Sequence, residues 1–209
     1  MGGKRSLVKI CIAGWYFREQ FLRDVSLCGY DAFVVKHREG DTQCIPFELH
    51  PNVGLEFGAY GQYVNCHWDG VSDVLFLHDD AAVSDLSAFE QAEHLAAIGV
   101  DHAYIFHDEN EDYVNGGAHG RGMWIRGSVL KELASDFPAD WANTGVNIGV
   151  TAQAGILKFH KRIMRCSPNT GVIAIIPQFR FAHRGRLHEK MFVYRKTHNS
   201  VPGGLVNVL

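Results

Sequence analysis

Two adjacent carboxylates, Asp79 and Asp80, close the run D-V-L-F-L-H from Asp73 to His78. An apolar strand that delivers acidic residues into a crevice is a common way to hold a divalent cation against phosphates, because hard oxygen ligands and a diphosphate can share the ion. The same pair can also just cap the turn that follows the strand. Trp15 and Tyr16 stand directly after the first apolar run, where an aromatic face could cover a nucleobase or pack a helix onto a sheet. Glu56 reads two ways as well, since a helix dipole favours a carboxylate in its first turn whatever is bound nearby. The segment His107-Asp-Glu-Asn opens a polar loop and reads as solvated.

Regular elements must position these side chains. Leu7 to Ala13 carries Val8, Ile10 and Ile12 and predicts a strand ending at Gly14. Residues 16 to 27 place Phe17, Phe21, Leu22 and Val25 at helical spacing, with Gly29 as a stop. Tyr30 to Val35 predicts a second strand, followed by a polar loop from Lys36 to Gln43. A helix opening at Asn52 to Gly54 puts Phe57, Tyr60, Val64 and Trp68 on one face and ends at Gly70. Val74 to Leu77 is a compact strand, and a helix from Ser84 or Asp85 to about Ile98 leads to a strand at Ala103 to Phe106. This alternation predicts an α/β fold with a mostly parallel sheet, helices on its faces and ligands at the carboxyl ends of its strands.

The second half is less regular. Asp108 to Gly122 is polar and contains Gly116, Gly117, Gly120 and Gly122, the composition of a mobile loop over a site. A helix from Ser128 to Ser135, an apolar helix near Val146 to Ile163 and a strand around Val172 to Ile176 follow. The tail from Phe179 to Lys196 is basic and either borders an anionic ligand or faces solvent.

Composition narrows the classes. With 46% hydrophobic and 21% charged residues over 209 positions, the chain can bury a sizeable core, and one domain is the default. A formal charge of -3 supplies no global basic field, which disfavours general nucleic-acid binding. No window approaches the roughly 20 apolar residues of a membrane-spanning helix, Lys9 interrupts any apolar leader, and Met1-Gly2 alone does not make a myristoylation site. The chain reads as cytoplasmic. Its five cysteines are odd in number, widely spaced and without a C-x-x-C pair, which reads as reduced thiols. Its twelve histidines are individually uninterpretable from composition.

The ordered combination N-V-G-L-E-F-G-A-Y from Asn52 to Tyr60, a helix, then D-V-L-F-L-H-D-D to Asp80 resembles the front half of GT-A fold glycosyltransferases. Asn52 stands 27 positions before Asp79, which suits that order of elements. The wording is also similar to rhamnan-synthesis and related small glycosyltransferase-like families. A fainter likeness to their acceptor-side segment continues through Gly116 to Gly122, Met123-Trp124-Ile125-Arg126 and the helix to Leu133, so that in all it covers about residues 6 to 145.

The resemblance implies an α/β, single-domain GT-A-like (Rossmann-like) fold over residues 1–209 and sugar transfer from a nucleotide-diphosphate donor to an unidentified glycan, protein or small-molecule acceptor. It implies that Asp80 and Asp79 bind Mn²⁺ or Mg²⁺, which would stabilise the departing diphosphate as a Lewis acid. Asn52 and Gly54 belong to its donor-binding element. A third metal ligand would come from His183 or His188, which otherwise read as exposed histidines, and Arg184 or Arg186 would contact phosphate through the guanidinium fork.

Two segments depart from the family pattern. Where inverting members carry an acidic pair, this chain reads F-P-A-D-W-A-N, leaving Asp140 as the candidate general base with Asp136 as the alternative; Asp140 also suits a helix cap. After the second strand, where relatives place an aspartate for the nucleoside, K-H-R-E-G-D-T offers His37, Glu39 or Asp41. Two other classes compete: a catalytically silent nucleotide- or sugar-binding module, and a metal-dependent phosphoesterase, for which no H-x-H or D-x-H cluster is present.

Overall fold

The computed structural model describes residues 8–106, 122–137, 159, 162–183, 186–187 and 205–207. The chain begins β1 (Val8–Gly14), α1 (Glu19–Leu27), β2 (Asp31–Lys36), β3 (Phe47–Leu49), α2 (Leu55–Cys66), β4 (Asp73–His78), β5 (Ala82–Val83) and α3 (Ser87–Ala97). It continues with β6 (His102–Phe106), β7 (Gly122–Ile125), α4 (Gly127–Leu133), β8 (Val172–Ile175), β9 (Phe179–Arg180), β10 (Ala182–His183), β11 (Arg186–Leu187) and β12 (Leu205–Asn207).

Eight strands form one sheet in the order β12-β8-β6-β7-β4-β1-β2-β3. Its pairings are parallel except at β7, which runs antiparallel between β4 and β6, so the sheet is mixed although mostly parallel. β1 and β4 are buried on both faces, which is why they read as continuous apolar runs rather than alternating ones.

Alternate residues of the two strands feed separate cores. Cys11, Ala13, Val74 and Phe76 pack with Phe57 and Tyr60 of α2 and with Val129 and Leu130 of α4. Ile10, Ile12, Leu75 and Leu77 pack with Phe21, Leu22 and Val25 of α1 and with Phe89 and Leu95 of α3. The helices therefore cover both faces of the sheet. No helix among the described residues is long and apolar enough to cross a membrane.

Several boundaries differ from the sequence expectation for local reasons. α1 starts at Glu19 rather than residue 16 because Phe17 adopts φ 53°, outside the right-handed helical region. α2 starts at Leu55, after Gly54 turns the chain at φ 81°, and it stops at Cys66, before Trp68. Gly58 is required inside α2, where a Cβ would lie 1.7 Å from the carbonyl oxygen of Val53. The acceptor-like segment Met123-Trp124-Ile125 is the interior strand β7, all of it buried.

Candidate functional site

From β1 the chain passes through α1 outward to β2 and β3, then returns across β1 to form β4 on the other side. The carboxyl ends of β1 and β4 thus lie at a topological switch point, where successive connections leave in opposite directions and open a crevice. A cavity of about 350 Å³ lies there, within the range of small-molecule sites. Ala13, Trp15 and Tyr16 line it from the end of β1, and His78 from the end of β4. Asn52, Leu55 and Glu56 enter from the start of α2, and His37 from the loop after β2.

Asp79 does not line this cavity. Its N–H donates to the carbonyl of Ala13 at 3.1 Å, extending the β1–β4 ladder by one residue. Its Oδ2 then accepts the backbone N–H groups of Trp15 at 2.7 Å and Phe17 at 2.5 Å. The carboxylate is fully buried and holds the β1–α1 loop in its non-helical course. Burial pushes its pKa up from the ordinary value, against the opposing pull of His78 and of the loop N–H groups.

Asp80 is also buried, and its Oδ1 lies 2.9 Å from Nδ1 of His78. A carboxylate oxygen only accepts, so the hydrogen of this bond resides on Nδ1. Burial lowers the imidazole pKa, but the bond to Asp80 and the charges of Asp80, Asp79 and Glu56 outweigh it and leave the pKa raised. The ring packs at a tilt against Tyr16, 5.6 Å between centroids. Tyr16 is 38% exposed, so it borders the opening rather than packing α1 onto the sheet.

The loop after β2 separates its three nucleoside-contact candidates. Glu39 pairs with Lys36 at 3.1 Å, and Asp41 accepts the N–H of Gln43 at 2.8 Å. Only His37 reaches the cavity wall. Its Nδ1 lies 3.1 Å from the carbonyl oxygen of His50 and its Nε2 3.0 Å from that of Leu55, so the ring ties this loop to the start of α2. Arg38 donates to the carbonyl of Trp15 and lies over its indole, 5.2 Å from the ring centroid. In the same cavity lining the Oδ1 of Asn52 is buried and has no hydrogen-bond partner among the described residues.

The structure thus brings Trp15, Tyr16 and Asn52 to one cavity, with Gly54 as the left-handed turn that delivers Asn52. Asp140, Arg184 and His188 lie outside the described residues, as do 107–121 of the glycine-rich loop; Gly122 begins β7. His183 is described only in its backbone, which pairs with Arg186 across β10 and β11.

Asp79 Oδ2 is engaged by the loop amides and Asp80 Oδ1 by His78, whereas Asp79 Oδ1 is buried, lies 3.4 Å from Nδ1 of His78 and has no hydrogen-bond partner among the described residues. Among the described residues no three His, Cys, Asp or Glu side chains are grouped to hold a metal ion. The described residues alone therefore do not complete the Mn²⁺ or Mg²⁺ centre that the family resemblance implies; the side chains of His183 and His188, its candidates for a third ligand, lie outside them.

Fold and cavity together define an α/β protein with a ligand crevice at the carboxyl ends of its strands. No protein-family profile matches the chain, and no curated protein matches its sequence. Among solved structures it is similar to S. aureus TarS, with a TM-score of 0.40 and 10% sequence identity. That superposition covers 60% of this chain and 29% of the TarS chain.

Proposed function

We propose that the protein is a glycosyltransferase of GT-A-like fold that uses a nucleotide-diphosphate sugar. The observation that carries this reading is the cavity at the β1–β4 switch point, which joins the N-x-G element at Asn52 to the end of the strand bearing H-D-D. Trp15 and Tyr16 offer aromatic faces for the base, and the unpartnered oxygen of Asn52 offers an acceptor to a ligand N–H or O–H. In the reaction an acceptor hydroxyl oxygen bonds to the anomeric carbon as the bond from that carbon to the diphosphate oxygen breaks. Asp140 takes the hydroxyl proton, Arg184 faces the phosphates, and the nucleoside diphosphate leaves with the bonding electrons.

Mn²⁺, Mg²⁺ and a chelator are experimental arms: the protein is incubated with uridine- and guanosine-diphosphate sugars under each condition, and released nucleoside diphosphate is quantified. Release from one donor, accelerated by a suitable acceptor, is the expected result. Tight binding without release would favour the alternative of a catalytically silent nucleotide- or sugar-binding module, for which the internal engagement of both aspartates speaks. Hydrolysis of simple phosphate esters instead would indicate a phosphoesterase.

A further inference from the structure

The geometry assigns to His78, rather than to either aspartate, the contact that the H-D-D element makes with the bound nucleotide: Nε2 of its ring hydrogen-bonds a ligand oxygen, and Asp80 is the residue that positions the ring. This assignment rests on the glycosyl-transfer reading and deepens it.

Three observations carry it. His78 lines the cavity, whereas neither Asp79 nor Asp80 does. The Oδ1 of Asp80, 2.9 Å from Nδ1, fixes the hydrogen on that nitrogen and leaves Nε2 as the atom for the cavity, with no partner among the described residues. Asp79 is fully buried, with Oδ2 holding two amides of the β1–α1 loop and Oδ1 3.4 Å from Nδ1 of His78, on the side of the ring away from Nε2. A carboxylate behind an imidazole fixes both its tautomer and its direction, the arrangement that supports histidines acting on ligands in many sites. The three consecutive residues thus divide the work: His78 touches the ligand, Asp80 aims His78, and Asp79 holds the loop that carries Trp15 and Tyr16.

The test is calorimetric titration of uridine and guanosine diphosphates into wild-type protein and four variants, in Mn²⁺ and in EDTA, with affinity expressed per folded molecule. His78→Ala should weaken binding about threefold to tenfold in both media, the usual yield of one hydrogen bond. His78→Gln, whose amide reaches the place of Nε2, should recover most of the loss. Asp80→Ala should weaken binding as His78→Ala does, and Asp80→Asn, which keeps an oxygen for Nδ1–H, should rescue it. If Asp80→Asn is as damaging as Asp80→Ala, and only when Mn²⁺ is present, Asp80 is an ion ligand and the assignment is overturned. Binding that survives His78→Ala unchanged overturns this assignment alone. Failure of the wild-type protein to bind either diphosphate overturns it together with the glycosyl-transfer reading.

Discussion

The carboxylate of Asp79 reaches back across 62 residues to accept the N–H of Phe17 at 2.5 Å, and through that bond a strand end on β4 sets the course of the loop leaving β1. Phe17 sits at φ 53°, a conformation costly for a bulky L-residue, and the buried acceptor is what holds it there.

Asp79→Ala is therefore expected to destabilise the protein by about 2–3 kcal/mol, the scale of a lost charge-assisted bond with amide donors left unpaired. It should also loosen the cavity wall, because Trp15 and Tyr16 ride on the same loop. Urea denaturation reads the first effect. A native-like midpoint would show that the loop holds its shape without the carboxylate.

The entry to α2 depends on Gly58 in a comparable way. A methyl group there would meet the Val53 carbonyl at 1.7 Å, and backbone cannot retreat as a side-chain tip can. Gly58→Ala should cost at least the 1–3 kcal/mol typical of overpacking, which for a chain of this size lowers the melting temperature by several degrees. Because Asn52 lies on the displaced turn, nucleotide affinity should fall as well. Retention of both melting temperature and affinity would show that the turn accommodates the methyl.

These two cases mark how far local sequence reasoning reaches. β1, β4 and β6 are legible as short continuous apolar runs bounded by polar residues or glycine, and α2 by the helical spacing of its apolar face. β7 is not legible: its four residues open on Gly122 and include no run of β-branched residues, and the antiparallel insertion between β4 and β6 depends on chain-distant partners. β3 is a three-residue edge strand after Pro46, too short for any period. The start of α1 is missed for a different reason, since Asp79 sets it and no window around Phe17 contains that residue.

At the site, residue types point to the end of β4 and its acidic pair. His78, immediately before that pair, lines the cavity and carries no motif of its own. Its signal was available in the pairing of β1 with β4, where Ala13 stands opposite His78 and puts the two strand ends level.

Asp69 gives a pH-dependent prediction. Burial acts to raise its pKa, but the Ser72 hydroxyl at 2.6 Å, the amides of Ser72 and Val71, and Lys9 at 3.5 Å lower it to about 2 from the ordinary 3.8. A folded-state value below the unfolded one means that the stabilisation is present above the unfolded value and lost as pH falls toward about 2. With the side chain about a third exposed, the contribution is on the order of 1 kcal/mol. Asp69→Ala should remove that amount at neutral pH and flatten the decline in stability between about pH 4 and about pH 2. A parallel decline in variant and wild type would assign the acid sensitivity to other carboxylates.

Asp140→Asn separates a base from a helix cap. As the base, Asp140 should contribute about a hundredfold to ten-thousandfold to turnover with little change in donor affinity. As a cap it would contribute roughly 1 kcal/mol of stability and leave turnover per folded molecule intact. Steady-state transfer rates and a denaturation curve on one variant distinguish the roles.

The central claim is that the crevice between the carboxyl ends of β1 and β4 binds the nucleotide of the donor. A crystal structure of the protein with uridine or guanosine diphosphate tests it most directly. The account predicts the base against Trp15 or Tyr16, a polar group of the ligand on the Oδ1 of Asn52, and Nε2 of His78 within hydrogen-bond distance of a ligand oxygen. A diphosphate bound elsewhere on the protein, with this cavity holding only water, would contradict it.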